Sequence, residues 1–149
     1  MIGNFYSSVT AMTNMSGANE GFAELTQAVA ELTKEHKLHS RVVAVSFDLA
    51  AIAKIKHIDS AIRTGALFEP KSNLTTIVRK QRMIDAAIRH GANDILLHRS
   101  IVTRGAVRLA TENDLPVVSW TVDDPKWIRR ARRLGIYALI TNDPRKMLV

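Results

Sequence analysis

Cysteine is absent from this chain of 149 residues, which excludes disulfides and thiolate metal sites. Long apolar runs are missing as well. None approaches the roughly 20 residues that a membrane-spanning helix needs. The opening Met1-Ile-Gly-Asn-Phe-Tyr6 has neither a basic n-region nor a continuous apolar segment, so no signal peptide is expected there. No Gly-x-Gly-x-x-Gly turn follows a strand and no Walker loop occurs, so a dinucleotide-binding fold loses ground and a P-loop fold is excluded.

What remains is ordinary globular composition, with 46% apolar and 23% charged residues. The length suits one domain with a core of its own. The net charge of +7 could attract phosphate-bearing partners. Because that charge does not form one long tract, a basic solvated surface is the plainer reading. A cytoplasmic protein is expected.

Residues 1–20 show no clear period and read as loop-like or disordered. Phe22, Leu25, Val29 and Leu32 recur at helical steps, which predicts a helix from about Phe22 to Lys37. Strands and helices then alternate. Arg41–Phe47 is a β-branched strand, and Asp48 can cap the helix after it, with Leu49, Ile52, Ala53 and Ile55 inward. Ile62–Phe68 is the next strand, followed by a loop to about Asn73 and a helix over Ile77–His90, with Ile84, Ala87 and Ile88 inward. Gly91 stops that helix. Asp94–His98, Val117–Thr121 and Tyr137–Ile140 are the later strands. A helix over Val102–Asn113 with Thr103 as cap, and one beginning near Pro125, separate them.

These strands are apolar along most of their length, as parallel strands flanked by helices are. Their starts fall roughly 20 to 30 residues apart, the size of a β/α unit. Residues 21–149 therefore read as a single α/β domain with about five parallel strands. Periodicity leaves two architectures open, an open doubly wound sheet or part of a (β/α) barrel.

Four pieces of the chain narrow this: Val42-Val-Ala-Val-Ser-Phe-Asp48, Ile62-Arg-Thr-Gly-Ala-Leu-Phe68, Trp120-Thr-Val-Asp-Asp124 and Leu139-Ile-Thr-Asn-Asp-Pro144. In order and spacing they resemble the second half of a glycerophosphodiester phosphodiesterase, over about residues 20–149. The resemblance implies a partial TIM-type barrel. It also implies metal-dependent hydrolysis of glycerophosphodiesters to glycerol 3-phosphate and an alcohol, with Mg or Ca as the cation in the intact family. That family's His-Arg-Gly and Glu-x-Asp motifs belong to its first half; no His-Arg-Gly occurs here, and the one Glu-x-Asp, Glu112-Asn-Asp114, does not sit at the end of an early strand. No catalytic residue and no metal ligand is therefore assigned, and the chain is expected to be inactive alone. Phe47 and Trp120 match family positions beside the substrate and are the substrate-binding candidates; an aromatic wall gives contact area with little entropy loss. Filling the top of the barrel core is the alternative role for both.

Other constellations are weaker. Asp123 and Asp124 could hold a cation, but successive residues point apart, and capping suits Asp124 better. His98 ends a strand without a second histidine at ligand spacing, so a structural hydrogen bond is expected. His36, His39, His57 and His90 lie near helix C-termini, where they can satisfy terminal carbonyls. Lys126-Trp-Ile-Arg-Arg-Ala-Arg-Arg133 is the densest basic segment, and reads as an outer helix with Ile128, Ala131 and Leu134 inward. Nucleic acid is disfavoured as its partner because only Trp127 could stack on bases. The expected partners are a glycerophosphodiester-type molecule, a second copy, or a complementing N-terminal half. A non-catalytic module binding phosphate or nucleic acid is the alternative function, and a truncated product with no role of its own is a third.

Overall fold

A computed structural model describes residues 9–13, 20–70 and 76–147. Six strands alternate with five helices: β1 (Val9–Thr13), α1 (Glu20–Glu35), β2 (Val42–Ser46), α2 (Leu49–Ile58), β3 (Arg63–Phe68), α3 (Thr76–Arg89), β4 (Asp94–His98), α4 (Arg104–Thr111), β5 (Val117–Trp120), α5 (Lys126–Leu134) and β6 (Ala138–Leu139). Short 3₁₀ turns follow β4 and β6, at Arg99–Ile101 and Pro144–Met147.

Strand order resolves what periodicity left open. The sheet runs β1-β2-β3-β4-β5-β6, all parallel, in chain order. A doubly wound sheet reverses its order at a switch point, whereas a (β/α) barrel never does. The fold is an arc of a TIM-type barrel.

Alternate residues of each strand face two different cores. Val45, Leu67, Leu96 and Val118 form one buried layer, joined by Val43, Phe47, Trp120, Ala138 and Ile140. This is the concave face of the arc. Ala66, Ile95, Leu97 and Val117 face the other way and pack with Ile52, Ile84, Ala87, Val107 and Ala110 of α2, α3 and α4. Apolar demand on both faces explains why the strands read as unbroken apolar runs. Gly65 belongs to the concave layer, where a Cβ would collide with Leu96 Cδ1 and stand 3.1 Å from Val45 Cγ1. The predicted caps form: Asp48 accepts from the Ala50 N–H and Thr103 from the Ala106 N–H. Gly91 and Gly135 take φ of +75° and +76° just past α3 and α5, the left-handed geometry that favours glycine.

Three expectations need correction. Residues 9–13, read as loop, form β1, which brings the strands among the described residues to six where about five were expected. This strand is specified by its partner, pairing from Val9↔Val42 to Thr13↔Ser46, more than by its own weak pattern. Residues 1–8 and 14–19 of the expected loop, and the expected loop at 71–73, lie outside the described residues. On α1, Val29 packs against the core as expected and the Phe22 side chain lies outside the described residues, but the buried positions are Thr26, Ala30 and Thr33, while Leu25 and Leu32 are 41% and 53% exposed. Small residues let α1 approach α2 and β2 closely, and Thr33 satisfies its hydroxyl by donating to the Val29 carbonyl at 2.7 Å. On α3, Met83 is buried where Ile88 was expected, and Ile88 is 45% exposed.

Candidate functional site

The C-terminal ends of the strands form one rim, where loops of β/α folds carry function. Phe47 follows β2, while His98 and Trp120 close β4 and β5 as register partners. All three fall on the concave side by alternation, one step above Val45, Leu96 and Val118. There they meet. The Phe47 and Trp120 ring centroids are 5.5 Å apart and nearly perpendicular, and His98 meets Trp120 at 5.1 Å in the same edge-on manner. Edge-to-face packing suits the positive ring edge against a negative ring face. The Trp120 indole N–H donates to the Leu96 carbonyl at 3.2 Å, which fixes the ring's orientation.

His98 is hydrogen-bonded, as expected, and the bonding defines its chemistry. The Ser100 N–H points at His98 Nδ1 from 3.3 Å and the Ser100 hydroxyl lies 2.7 Å from the same atom. A backbone N–H can only donate, so Nδ1 accepts. The neutral ring therefore keeps its proton on Nε2. The half-buried imidazole presents an N–H donor at the rim beside the Trp120 ring. Sequence reasoning left His98 out of the candidate set. Its signal was positional: Asp94–His98 and Val117–Trp120 end level with one another once paired, but register is not written in either segment.

Between the β5 and β6 ends, Asp123 ties the rim together. Its carboxylate accepts from the Thr141 hydroxyl and the Asn142 N–H, both at 2.8 Å, and from the Asn142 side-chain amide at 3.3 Å. These bonds hold the carboxyl below the usual carboxylate range, the Asn142 N–H contributing most and the Thr141 hydroxyl next. Asp124 caps α5 by accepting from the Lys126 N–H at 2.9 Å, as the sequence suggested. Arg99 reaches back to donate to the Thr121 carbonyl at 2.9 Å.

The carboxylates near this rim are thus mostly occupied. Asp48 and Asp124 cap helices, Asp123 braces a loop, and Asp143 pairs with Lys146 at 3.3 Å. Among the described residues no group of three or more His, Asp or Glu side chains converges as a cation site would require. Of the histidines expected to satisfy helix-terminal carbonyls, His90 does so, its Nδ1 2.7 Å from the Ala86 carbonyl oxygen, whereas His39 pairs instead with the Asp59 carboxylate at 2.8 Å.

The arc has counterparts among solved structures. A phosphodiesterase from Oleispira antarctica, in complex with the product sn-glycerol-3-phosphate, superposes with TM-score 0.69 at 19% identity, over 87% of this chain and 50% of that one. A glycerophosphodiester phosphodiesterase from Parabacteroides distasonis gives 0.73 at 16% identity, over 94% and 55%. A Silicibacter pomeroyi protein assigned as a glycerophosphoryl diester phosphodiesterase gives 0.74 at 21%, over 91% and 47%. At such identities these likenesses speak to the fold alone, and the chain spans about half the length of each. No curated protein matches it. The family model for glycerophosphoryl diester phosphodiesterases, however, matches residues 5–146, β1 and the four signature pieces included. The chain is a member of the glycerophosphoryl diester phosphodiesterase family.

Proposed function

We propose that this chain forms the substrate-binding side of a glycerophosphodiester phosphodiesterase barrel and hydrolyses little or nothing by itself. The observation that supports this reading best is the Phe47–Trp120–His98 cluster at the rim of a family-type arc. The two rings offer apolar contact to a glycerol or alcohol portion, and His98 Nε2–H offers a donor to a hydroxyl or phosphate oxygen. The sn-glycerol-3-phosphate bound by the Oleispira relative fits that pairing of surfaces.

The hydrolytic half of the task finds no comparable support. The family is generally metal-dependent, yet the described donor set does not fit a divalent cation, because the carboxylates close to the rim are engaged elsewhere. A cation would neutralise phosphate charge, and a positioned acid and base would activate water and protonate the leaving oxygen. Without them most of the rate enhancement is lost.

Two measurements test the reading. A coupled assay for glycerol 3-phosphate release from a glycerophosphodiester, with Mg or Ca added, is expected to stay at background. Robust turnover would refute the inactivity. In a Trp127→Phe background, Trp120 is the remaining tryptophan. Its emission is expected to change on titration with sn-glycerol 3-phosphate, and a flat response into the millimolar range would remove the binding role of the rim.

A further inference from the structure

The net charge of the chain is confined to one part of it. Residues 1–75 carry 7 Lys and Arg against 7 Asp and Glu, whereas residues 76–149 carry 14 against 7. All of the +7 therefore belongs to α3, α4, α5 and the segments around them. On α5 the cations are Lys126, Arg129, Arg130, Arg132 and Arg133, all exposed, while Ala131 is buried and Trp127 and Leu134 pack against the outer core. Among the described residues Arg129, Arg132 and Arg133 make no ion pair or hydrogen bond.

The cations of neighbouring helices join this face. Arg130 donates to the Val102 carbonyl at 3.2 Å, which ties α5 to the segment that opens α4. Exposed Arg104 and Arg108 follow on α4. Lys80 of α3 reaches over Gly105, its ammonium 3.3 Å from where a Cβ would stand. Opposing acids are few: Glu112 pairs with Arg108, Asp85 with Gln81, and Asp124 caps α5, which leaves exposed Asp114 past the end of α4.

We propose that this basic belt, centred on the outer face of α5, docks the protein onto a bilayer surface rich in anionic phospholipid. A cluster of four to eight Lys and Arg on one amphipathic helix is the pattern that an anionic leaflet attracts. Like-charged side chains without partners lose little on approaching such a surface and gain summed attraction. Nucleic acid fits less well. Trp127, the aromatic of this segment, is half-buried, and the Arg130 guanidinium lies 4.3 Å from its ring centroid, so it offers no free stacking platform. A bilayer requires no such platform. This surface lies on the helix side of the sheet, opposite the layer that carries the aromatic rim, and does not depend on the phosphodiesterase reading.

Sedimentation with vesicles tests it. The chain is expected to pellet with phosphatidylglycerol-containing vesicles at about 0.1 M salt and to ignore pure phosphatidylcholine, with binding falling as salt rises. Arg129→Glu, Arg132→Glu and Arg133→Glu together are expected to weaken binding by about 100-fold. The triple Gln variant is expected to weaken it less, with an unchanged helical circular dichroism signal in both. Lys34→Glu, Lys37→Glu and Arg41→Glu change net charge equally on the neutral half and are expected to leave binding within about threefold. No pelleting with anionic vesicles, or equal losses in the two reversal sets, would overturn the proposal. So would tight binding of duplex DNA or RNA by a chain that ignores vesicles, which would make the belt a nucleic-acid surface.

Discussion

Arg63 opens β3 and Asp94 opens β4, at the end of the arc opposite the aromatic rim. Their contact is bidentate: Arg63 Nε and Nη2 each donate to one Asp94 oxygen at 2.6 Å. Asp94 is almost wholly buried, its side chain 4% exposed, while the Arg63 side chain keeps 34%. Fork-to-carboxylate geometry is the strong form of an ion pair, and Tyr137 adds its ring 5.4 Å from the guanidinium carbon. Removing only the cation strands a buried carboxylate. Arg63→Met is therefore expected to cost about 2–4 kcal/mol, the usual cost of breaking a buried pair trimmed for the partial exposure of Arg63. Urea denaturation of Arg63→Met, Asp94→Asn and the double variant checks this, since the double should be more stable than the Arg63→Met single. A second residue-scale outcome concerns pH. Asp123 titrates below the normal carboxylate range because the folded rim donates hydrogen bonds to its charged form. Its contribution is thus full above the unfolded value of about 4 and fades as pH falls through the lower folded value. Asp123→Asn should be less stable than the parent near neutrality, and the gap should narrow as pH falls below the ordinary carboxylate range. Denaturation midpoints of both proteins along a pH series from neutral to acid measure it.

Among the elements, β3 shows most directly how the sheet is packed. Gly65 lets the buried Leu96 and Val45 meet across the concave layer. A methyl group there must displace Leu96, which has little room because it is itself buried. Gly65→Ala is expected to destabilise by about 1–3 kcal/mol, the range for overpacking a filled core, offset slightly by lower chain entropy in the unfolded state. Thermal or urea melting of the variant tests this. The same packing explains what the sequence did and did not disclose. β2, β4 and β5 were legible because each must be apolar on both faces, which leaves a continuous run such as Asp94–His98. The caps at Asp48, Thr103 and Asp124 were legible because capping is local chemistry. β1 was not, since Val9–Thr13 owes its strand conformation to the hydrogen-bonding edge of β2, some 30 residues away. The α1 face was misassigned because helical spacing ranks Leu25 and Leu32 by size, whereas close helix–sheet approach selects Ala30, Thr26 and Thr33. The Phe47–Trp120–His98 cluster was two-thirds visible. Its third member depends on the register of β4 against β5, which only pairing sets.

At the scale of the whole molecule, the arc ends twice. Among the described residues β1 pairs only with β2, and β6 only with β5, so each leaves one row of backbone donors and acceptors open. The concave layer presents little apolar surface, since Val45, Leu67, Leu96 and Val118 are between 2% and 9% exposed. Association therefore should not proceed through that layer but through the two edges and the apolar stripe beside the first of them. That stripe is Leu25 and Leu32 on α1, one heptad apart and both exposed. Open parallel edges template further pairing, and apolar side chains beside them add contact area. A second copy, or a separate half that supplies further strands, would meet the protein there. Light scattering across a concentration series is expected to show reversible association, with Leu25→Glu and Leu32→Glu together shifting the equilibrium toward monomer by about tenfold or more, as two desolvated leucines would contribute. A monomer of unchanging mass from micromolar to near-millimolar concentration would mean that the edges are protected, and the complementation view of this half-barrel would fall with them.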